Sequence, residues 1–276
     1  LVAKLPSIAC YAYQSKVHYY DRDSLFIHYA NPEYSIAENF LSLLRKDQKF
    51  TDQEARLLDT ILMLHADHGG GNNSTFTNVV ISSTGTDIYS TVSASIGSLK
   101  GPRHGGANIK VAEMMDAVLE DVGGYTADDK KLRAAVNRLM DGKLYDRSGL
   151  VYGFGHAVYT ISDPRAEMLR ACCAEVAKEK KQQTEFDFRQ RFERAALDVM
   201  KERKGTALPT NVDYYSGFAY GMLNIPRDLY TPLFMCSRMV GWVAHNIENK
   251  LYDGRIMRPA TKYVGENKDY MMMEER

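Results

Sequence analysis

The sequence predicts an all-α protein. Apolar residues recur at helical spacing along almost the whole chain, helix-start signals precede many of these runs, and convincing alternating strand patterns are nearly absent. The chain opens inside an apolar pattern (Leu1, Val2, Leu5, Ile8, Ala9, Ala12). Ser35-x-x-Glu38, Thr51-x-x-Glu54, Thr126-x-x-Asp129 and Thr184-x-x-Asp187 have the form of capping boxes, in which a hydroxyl and a carboxylate satisfy orphan amides at a helix start. After Thr51, residues Ala55, Leu57, Leu58, Ile61, Leu62 and Leu64 are spaced for one apolar helix face. A second helical pattern follows Gly106 (Val111, Met114, Met115, Ala117, Val118). A third opens at Asp163-Pro164, a good cap followed by a good first helical residue. After Thr184, Phe186, Phe188, Phe192, Ala196, Val199 and Met200 lie among charges, which predicts an amphipathic helix. From Leu229 to about Ile247 the chain is nearly all apolar, the pattern of a helix at the centre of a large protein or at a subunit interface. Breaks fall at 66–75, 100–106, 141–156, 203–212 and 253–260.

Composition narrows the function classes. The 276 residues are 45% hydrophobic, enough for a sizeable core in one or two domains. Thirty-five basic residues balance 35 acidic ones, which argues against a dedicated nucleic-acid module and against disorder. No stretch approaches the ~20 apolar residues of a membrane span. Cys10, Cys172, Cys173 and Cys236 form no C-x-x-C pair and are too sparse for a disulfide framework, so a reducing cytoplasm is the expected location. No secretory leader is visible, and Leu1 is not an initiator Met. The expectation is that an N-terminal portion of the natural protein is missing, or that a tag or leader has been trimmed from a nearly whole one.

The chemistry-bearing residues sit at the breaks. His104, in Gly101-Pro102-Arg103-His104-Gly105-Gly106-Ala107-Asn108, falls at or just before a helix start. Peptide dipoles there disfavour imidazolium, so a neutral ring donating a hydrogen bond is expected; the plain alternative is a helix-capping turn. His156, in Gly153-Phe154-Gly155-His156-Ala157-Val158, precedes Asp163-Pro164-Arg165 by seven residues. Arg165 would project from a helix N-terminus, an anion site made of amides plus a guanidinium suited to carboxylates. A tight turn with a surface salt bridge is the alternative. Asp213, in Asn211-Val212-Asp213-Tyr214-Tyr215-Ser216-Gly217, should stay ionised near a helix start, as a base in a cleft or merely as the N-cap. His65, Asp67 and His68 offer a metal-hydrolase reading, although no H-E-x-x-H or Cys pair supports it, and no metal site is expected. Arg238, on the apolar helix, needs an anionic partner: a structural acid or a substrate carboxylate. Arg258 stands before Pro259, and His18, His28 and His245 read as structural or surface residues.

HADHGGGNNST, GPRHGGAN, GFGHAVYTISDPR, NVDYYSG, LFMCSRMVGW and Arg258-Pro259, in this order, resemble the citrate synthase family over nearly the whole chain, from the LVAKLP opening to about residue 260. Gly69 departs from the acidic residue common after HADH. Thr206 stands where some members carry a lysine that contacts coenzyme A, which leaves those contacts in doubt. The resemblance implies a catalytic set of His104, His156 and Asp213, with His68, Arg165, Arg238 and Arg258 holding oxaloacetate. Arg258 would reach into the partner's site of a homodimer. It implies a Claisen-type condensation of acetyl-CoA with oxaloacetate, with no cofactor beyond the acetyl-CoA substrate. It also implies a large helical domain (1–107 and 221–276) interrupted by a smaller one (108–220). The rival expectations are a 2-methylcitrate synthase using propionyl-CoA and a non-catalytic homologue serving as a dimerisation scaffold.

Overall fold

The computed structural model describes every residue except Ala157, Val158, Ala207, Asp253 and Arg276. Among the described residues the chain forms eleven α-helices: α1 (Leu5–Tyr20), α2 (Ile36–Leu44), α3 (Asp52–His65), α4 (Asn73–Ser82), α5 (Ile88–Leu99), α6 (Ala107–Val122), α7 (Asp129–Met140), α8 (Pro164–Glu179), α9 (Gln183–Lys204), α10 (Val212–Met222) and α11 (Tyr230–Leu251). Short 3-10 turns lie at Arg227–Leu229 and Met273–Glu275. The only extended pairing among those residues is one antiparallel bridge, Phe154 to Thr210. The all-α expectation therefore holds. No helix in this set is long and apolar enough to cross a membrane.

Two of the four capping boxes form as the sequence predicts. Ser35 Oγ accepts the Glu38 amide while the Glu38 carboxylate accepts the Ser35 amide, and Thr51 and Glu54 repeat the arrangement. The other two do not. A turn through Gly124 carries the chain past Thr126, so Asp128 caps α7 by accepting the Lys131 amide. At α9, Lys181 is left-handed (φ 57°) and the Gln182 amide folds back onto Ala177 O. The helix is therefore already under way when Thr184 is reached. Asp163 and Pro164 start α8 as expected, and at α10 the cap is Asn211, with Asp213 already inside the helix.

One large core joins α2, α3 and α6 to α10, and a smaller one packs Val92 and Leu99 of α5 against Met239 and Trp242 of α11. The α11 helix is not apolar all round in effect. Leu233, Cys236, Met239 and Trp242 are buried, whereas Val240 and Ile247 stay about half exposed on its other side. Two glycines set the approach of the site-bearing elements. At Gly241 any Cβ would collide with Ala66 O, so only glycine lets α11 lie this close to the end of α3. At Gly153 φ is +84°, with Tyr214 and Val111 side chains 3.0 Å from where a Cβ would stand.

Candidate active site

Turns and helix ends converge on one polar cluster. His68, in the turn after α3, places Nε2 3.0 Å from Nε2 of His156. The Tyr159 amide donates to His156 Nδ1 at 3.2 Å. That nitrogen must carry a lone pair, so in a neutral ring the His156 proton sits on Nε2 and points at His68. Burial first, and then the nearby Arg165 charge, lowers the basicity of both rings, which favours the neutral pair.

Arg165, at the start of α8, is held by Asp163. Nε and Nη2 donate to the two carboxylate oxygens at 3.0 and 2.8 Å, and the Arg165 amide donates to the same Asp163 Oδ1. Its guanidinium stands 5.3 Å from the Tyr159 ring centre, and its Nη2 lies 3.5 Å from His156 Nε2. Asp163, read from sequence only as a cap, is thus a buried counter-charge as well.

Arg238, on α11, is 1% exposed. Its Nε donates to His65 O at 2.7 Å and its Cζ lies over the Phe234 ring, 4.9 Å from the ring centre, one helical turn earlier. Nη1 is buried without a hydrogen-bond partner, and no carboxylate lies within ion-pairing distance among the described residues. Of the two partners the sequence allowed, the structural acid is therefore not found in this set. Burial pulls the Arg238 pKa down to about 10, which still leaves it charged near neutrality.

Phe234 also faces His65 (4.8 Å between ring centres) and His104 (6.0 Å). The His65 Nδ1 donates to Ile61 O at 2.9 Å, and burial pushes the ring down to about 4, so it is neutral. His104 lies in the turn before α6, held by its amide to Gly101 O, with Nε2 3.0 Å from Ser74 Oγ. Burial, and after it the Arg238 charge, keeps this imidazole neutral. Ser74 is a node: its hydroxyl donates to Asn72 Oδ1 at 2.9 Å, and Trp242 Nε1 donates to it at 3.3 Å.

The Asp213 carboxylate, in the first turn of α10, has no hydrogen-bond partner among the described residues, while its amide is capped by Asn211. Burial pushes its pKa up to about 6, against the pull of Arg165 and Arg238. It remains mostly ionised at neutral pH, but as a stronger base than the helix start alone predicts. Asn211 also ties the Asp213 and His156 segments together. Its amide donates to Gly153 O at 2.9 Å and its Nδ2 to Gly155 O at 3.0 Å, while the Gly155 amide donates to Pro209 O at 2.8 Å.

The structure thus gathers His68, His104, His156, Arg165, Arg238 and Asp213. It does not bring Arg258 to them. That residue is exposed in the segment after α11, which touches the end of α4 through the Met257 amide and Ser83 Oγ. Ala157 and Val158 of the GFGHAV motif lie outside the described residues. The metal-hydrolase trio disperses: His65 turns to Ile61, Asp67 pairs with His245 at 3.2 Å, and His68 faces His156. Sequence reasoning passed over Ser74 and Phe234. Ser74 stands in the NNST stretch beside the first histidines, and Phe234 stands four residues before Arg238.

Fold and cluster define an all-α protein in which neutral imidazoles, two arginines and a raised carboxylate meet at turns and helix starts. The chain belongs to the citrate synthase family: the family profile "Citrate synthase, C-terminal domain" matches residues 1–260. It is 37% identical to a citrate synthase of Haloferax volcanii over 280 aligned residues, covering 100% of this chain and 66% of that protein. It is 35% identical to a 2-methylcitrate synthase of Shewanella oneidensis, covering 96% of this chain and 64% of that one. Among solved structures, the citrate synthase of Thermoplasma acidophilum in a ternary complex with carboxymethyl coenzyme A and oxaloacetate superposes with a TM-score of 0.79 at 28% identity. That match covers 100% of this chain and 67% of that one. The chain spans slightly under two thirds of the length of these two curated relatives.

Proposed function

We propose that the protein condenses acetyl-CoA with oxaloacetate to give citrate and coenzyme A. The observation that carries this reading is the buried Arg238, with no carboxylate partner among the described residues, beside neutral imidazoles and a carboxylate raised to about 6. Such a set takes up a substrate carboxylate and moves a proton from carbon. Arg165, Arg238 and His68 hold oxaloacetate, and Arg258 from a second copy of a homodimer completes the carboxylate clamp. Held in this way, the ketone meets the nucleophile in one orientation, an entropic contribution to rate.

Asp213 removes a proton from the thioester methyl. That carbon acid is very weak, so the enolate oxygen must meet a preorganised donor, which is His104. His104 Nε2 is seated 3.0 Å from Ser74 Oγ, whose own proton goes to Asn72 Oδ1. The enolate carbon attacks the oxaloacetate ketone, and the alkoxide takes the proton on His156 Nε2 as a substrate oxygen replaces His68 as its acceptor. Water then returns a proton to His156 as its hydroxide adds to the citryl thioester, the C–S bond breaks, and coenzyme A leaves as the thiol with the proton held by Asp213. Closure of a smaller domain (108–220) on a larger one excludes water while the carbanion exists.

The Shewanella oneidensis relative supports a second reading, in which propionyl-CoA is the acyl donor. One methylene changes discrimination by only ~1–3 kcal/mol. Steady-state rates with both thioesters decide between the two. Asp213→Asn should abolish solvent exchange of the acetyl-CoA methyl protons in the presence of an unreactive oxaloacetate analogue, and retained exchange would remove Asp213 as the base.

A further inference from the structure

We propose that Glu193 of α9 is a positioning residue that fixes Asp213 and, through the short backbone pairing, the His156 turn in one relation. The inference rests on the reading of Asp213 as the base. Glu193 is 8% exposed. One of its carboxyl oxygens accepts from Thr210 Oγ1 at 2.6 Å and the other accepts from Tyr215 Oη, so a single side chain holds residues on both sides of Asp213. One helical turn away on the same face of α9, Arg189 O accepts from Tyr214 Oη at 2.7 Å. Burial raises both phenols well above their ordinary range, so each stays a donor at any working pH.

Packing alone does not account for this arrangement. Burying a carboxyl group is costly, no basic side chain forms an ion pair with Glu193 among the described residues, and apolar groups of similar shape would fill the space. What two hydroxyl bonds to one carboxyl supply is direction. Thr210 is also the residue that bridges Phe154, and the Gly155 and Asn211 amides donate across that pairing. Glu193, the 209–213 segment and the 153–155 turn form one connected unit, with Asp213 at one end and His156 at the other. A displacement of about 1 Å at either costs ~100-fold in rate.

The test uses the full chain and Glu193→Ala, with Glu193→Gln as the conservative variant. Thr210→Val and Tyr215→Phe each cut one arm and carry the test if Glu193→Ala does not fold. Amide hydrogen exchange should accelerate about tenfold at Gly155 and Asn211, with α2 and α3 unaffected. The kcat should fall ~10–100-fold while the KM for oxaloacetate stays within about twofold. Glu193→Gln, which keeps one acceptor oxygen, should recover part of the loss, and either arm variant should add little in the Glu193→Ala background. Unchanged amide protection in a folded variant overturns the proposal, and so does a KM that rises in step with the fall in kcat. If the wild type condenses neither acetyl-CoA nor propionyl-CoA, the proposed function fails, and the amide readout still decides the role of Glu193.

Discussion

Burial at the start of α10 lifts the Asp213 carboxyl from 3.8 to about 6, and this shift has opposite consequences for activity and stability. A base works only when ionised, so kcat/KM should fall as pH drops through about 6 rather than through the ordinary carboxylate range. The folded state favours the protonated form. The stability penalty is therefore absent below the ordinary value, grows as pH rises, and is complete above about 6. Two units correspond to roughly 3 kcal/mol as an upper bound. Asp213→Asn should thus gain about 1–3 kcal/mol in urea unfolding near pH 7, lose that gain near pH 3.5, and lose activity throughout. Ser74→Ala tests the seating of His104 against the Ser74 hydroxyl: kcat should fall ~10–1,000-fold with oxaloacetate binding by calorimetry unchanged. His104, His156, Arg165 and Asp213 were legible because each stands where a Gly-rich turn or a cap meets a helix start, a pattern local in sequence. Phe234 and His65 were not, since an aromatic platform under a guanidinium exists only once α11 lies against the end of α3. Of the two partners the sequence allowed for Arg238, the structural acid is not found among the described residues; a backbone carbonyl and a ring stand there, contacts that no residue spacing announces.

Between helices, polar ties and close backbone approaches set the geometry that the site uses. Glu54, the third residue of the Thr51 box, also accepts Arg45 through both oxygens and Lys180 at the end of α8, while Arg45 donates to Leu223 O after α10. Burial alone would raise the Glu54 carboxyl. Hydrogen bonds from Arg45, Lys180 and the Thr51 amide outweigh it and hold the pKa down to about 2. A lowered carboxylate contributes stability that is present above its ordinary value of 4.5 and is lost as pH falls through about 2. Glu54→Gln should cost about 2–4 kcal/mol near neutrality by denaturant unfolding, with the difference shrinking at acid pH. Gly241→Ala should act on ligand more than on fold. It forces α11 away from Ala66 and carries Arg238 with it, so oxaloacetate affinity should fall at least tenfold for about 1–3 kcal/mol of stability. The same scale shows what sequence can convey about helices. Ser35 and Thr51 were readable because their boxes close locally, and the tertiary bonds to Glu54 leave its bond to the Thr51 amide in place. Thr126 and Thr184 were overruled by turns whose hydrogen bonds, Ala127 to Gly124 and Gln182 to Ala177, fix the helix start elsewhere.

For the molecule as a whole, the proposed clamp needs Arg258 at a cluster from which its own chain keeps it apart. The segment after α11 runs exposed, carrying Ile256, Met257, Tyr263 and Val264 outward. Under the proposed function it presents Arg258 to the site of a second copy, and this can be separated from action within one chain. Arg165→Ala and Arg258→Ala should each lower oxaloacetate affinity and activity when assayed alone. Subunits of the two variants mixed in equal amounts and allowed to exchange give half heterodimers, by statistical assortment in a closed two-fold dimer. If Arg258 acts across the interface, each heterodimer contains one site with both defects and one with neither. Activity then returns to about a quarter of the wild-type value per subunit, with wild-type KM at the restored sites. If Arg258 acts on its own chain's site, every site in the mixture carries one defect and nothing returns. Recovery with an altered KM would point instead to a general repair of folding by assembly. Steady-state kinetics of the mixture against the unmixed variants, with mass spectrometry of the intact dimers to confirm exchange, distinguishes the three outcomes.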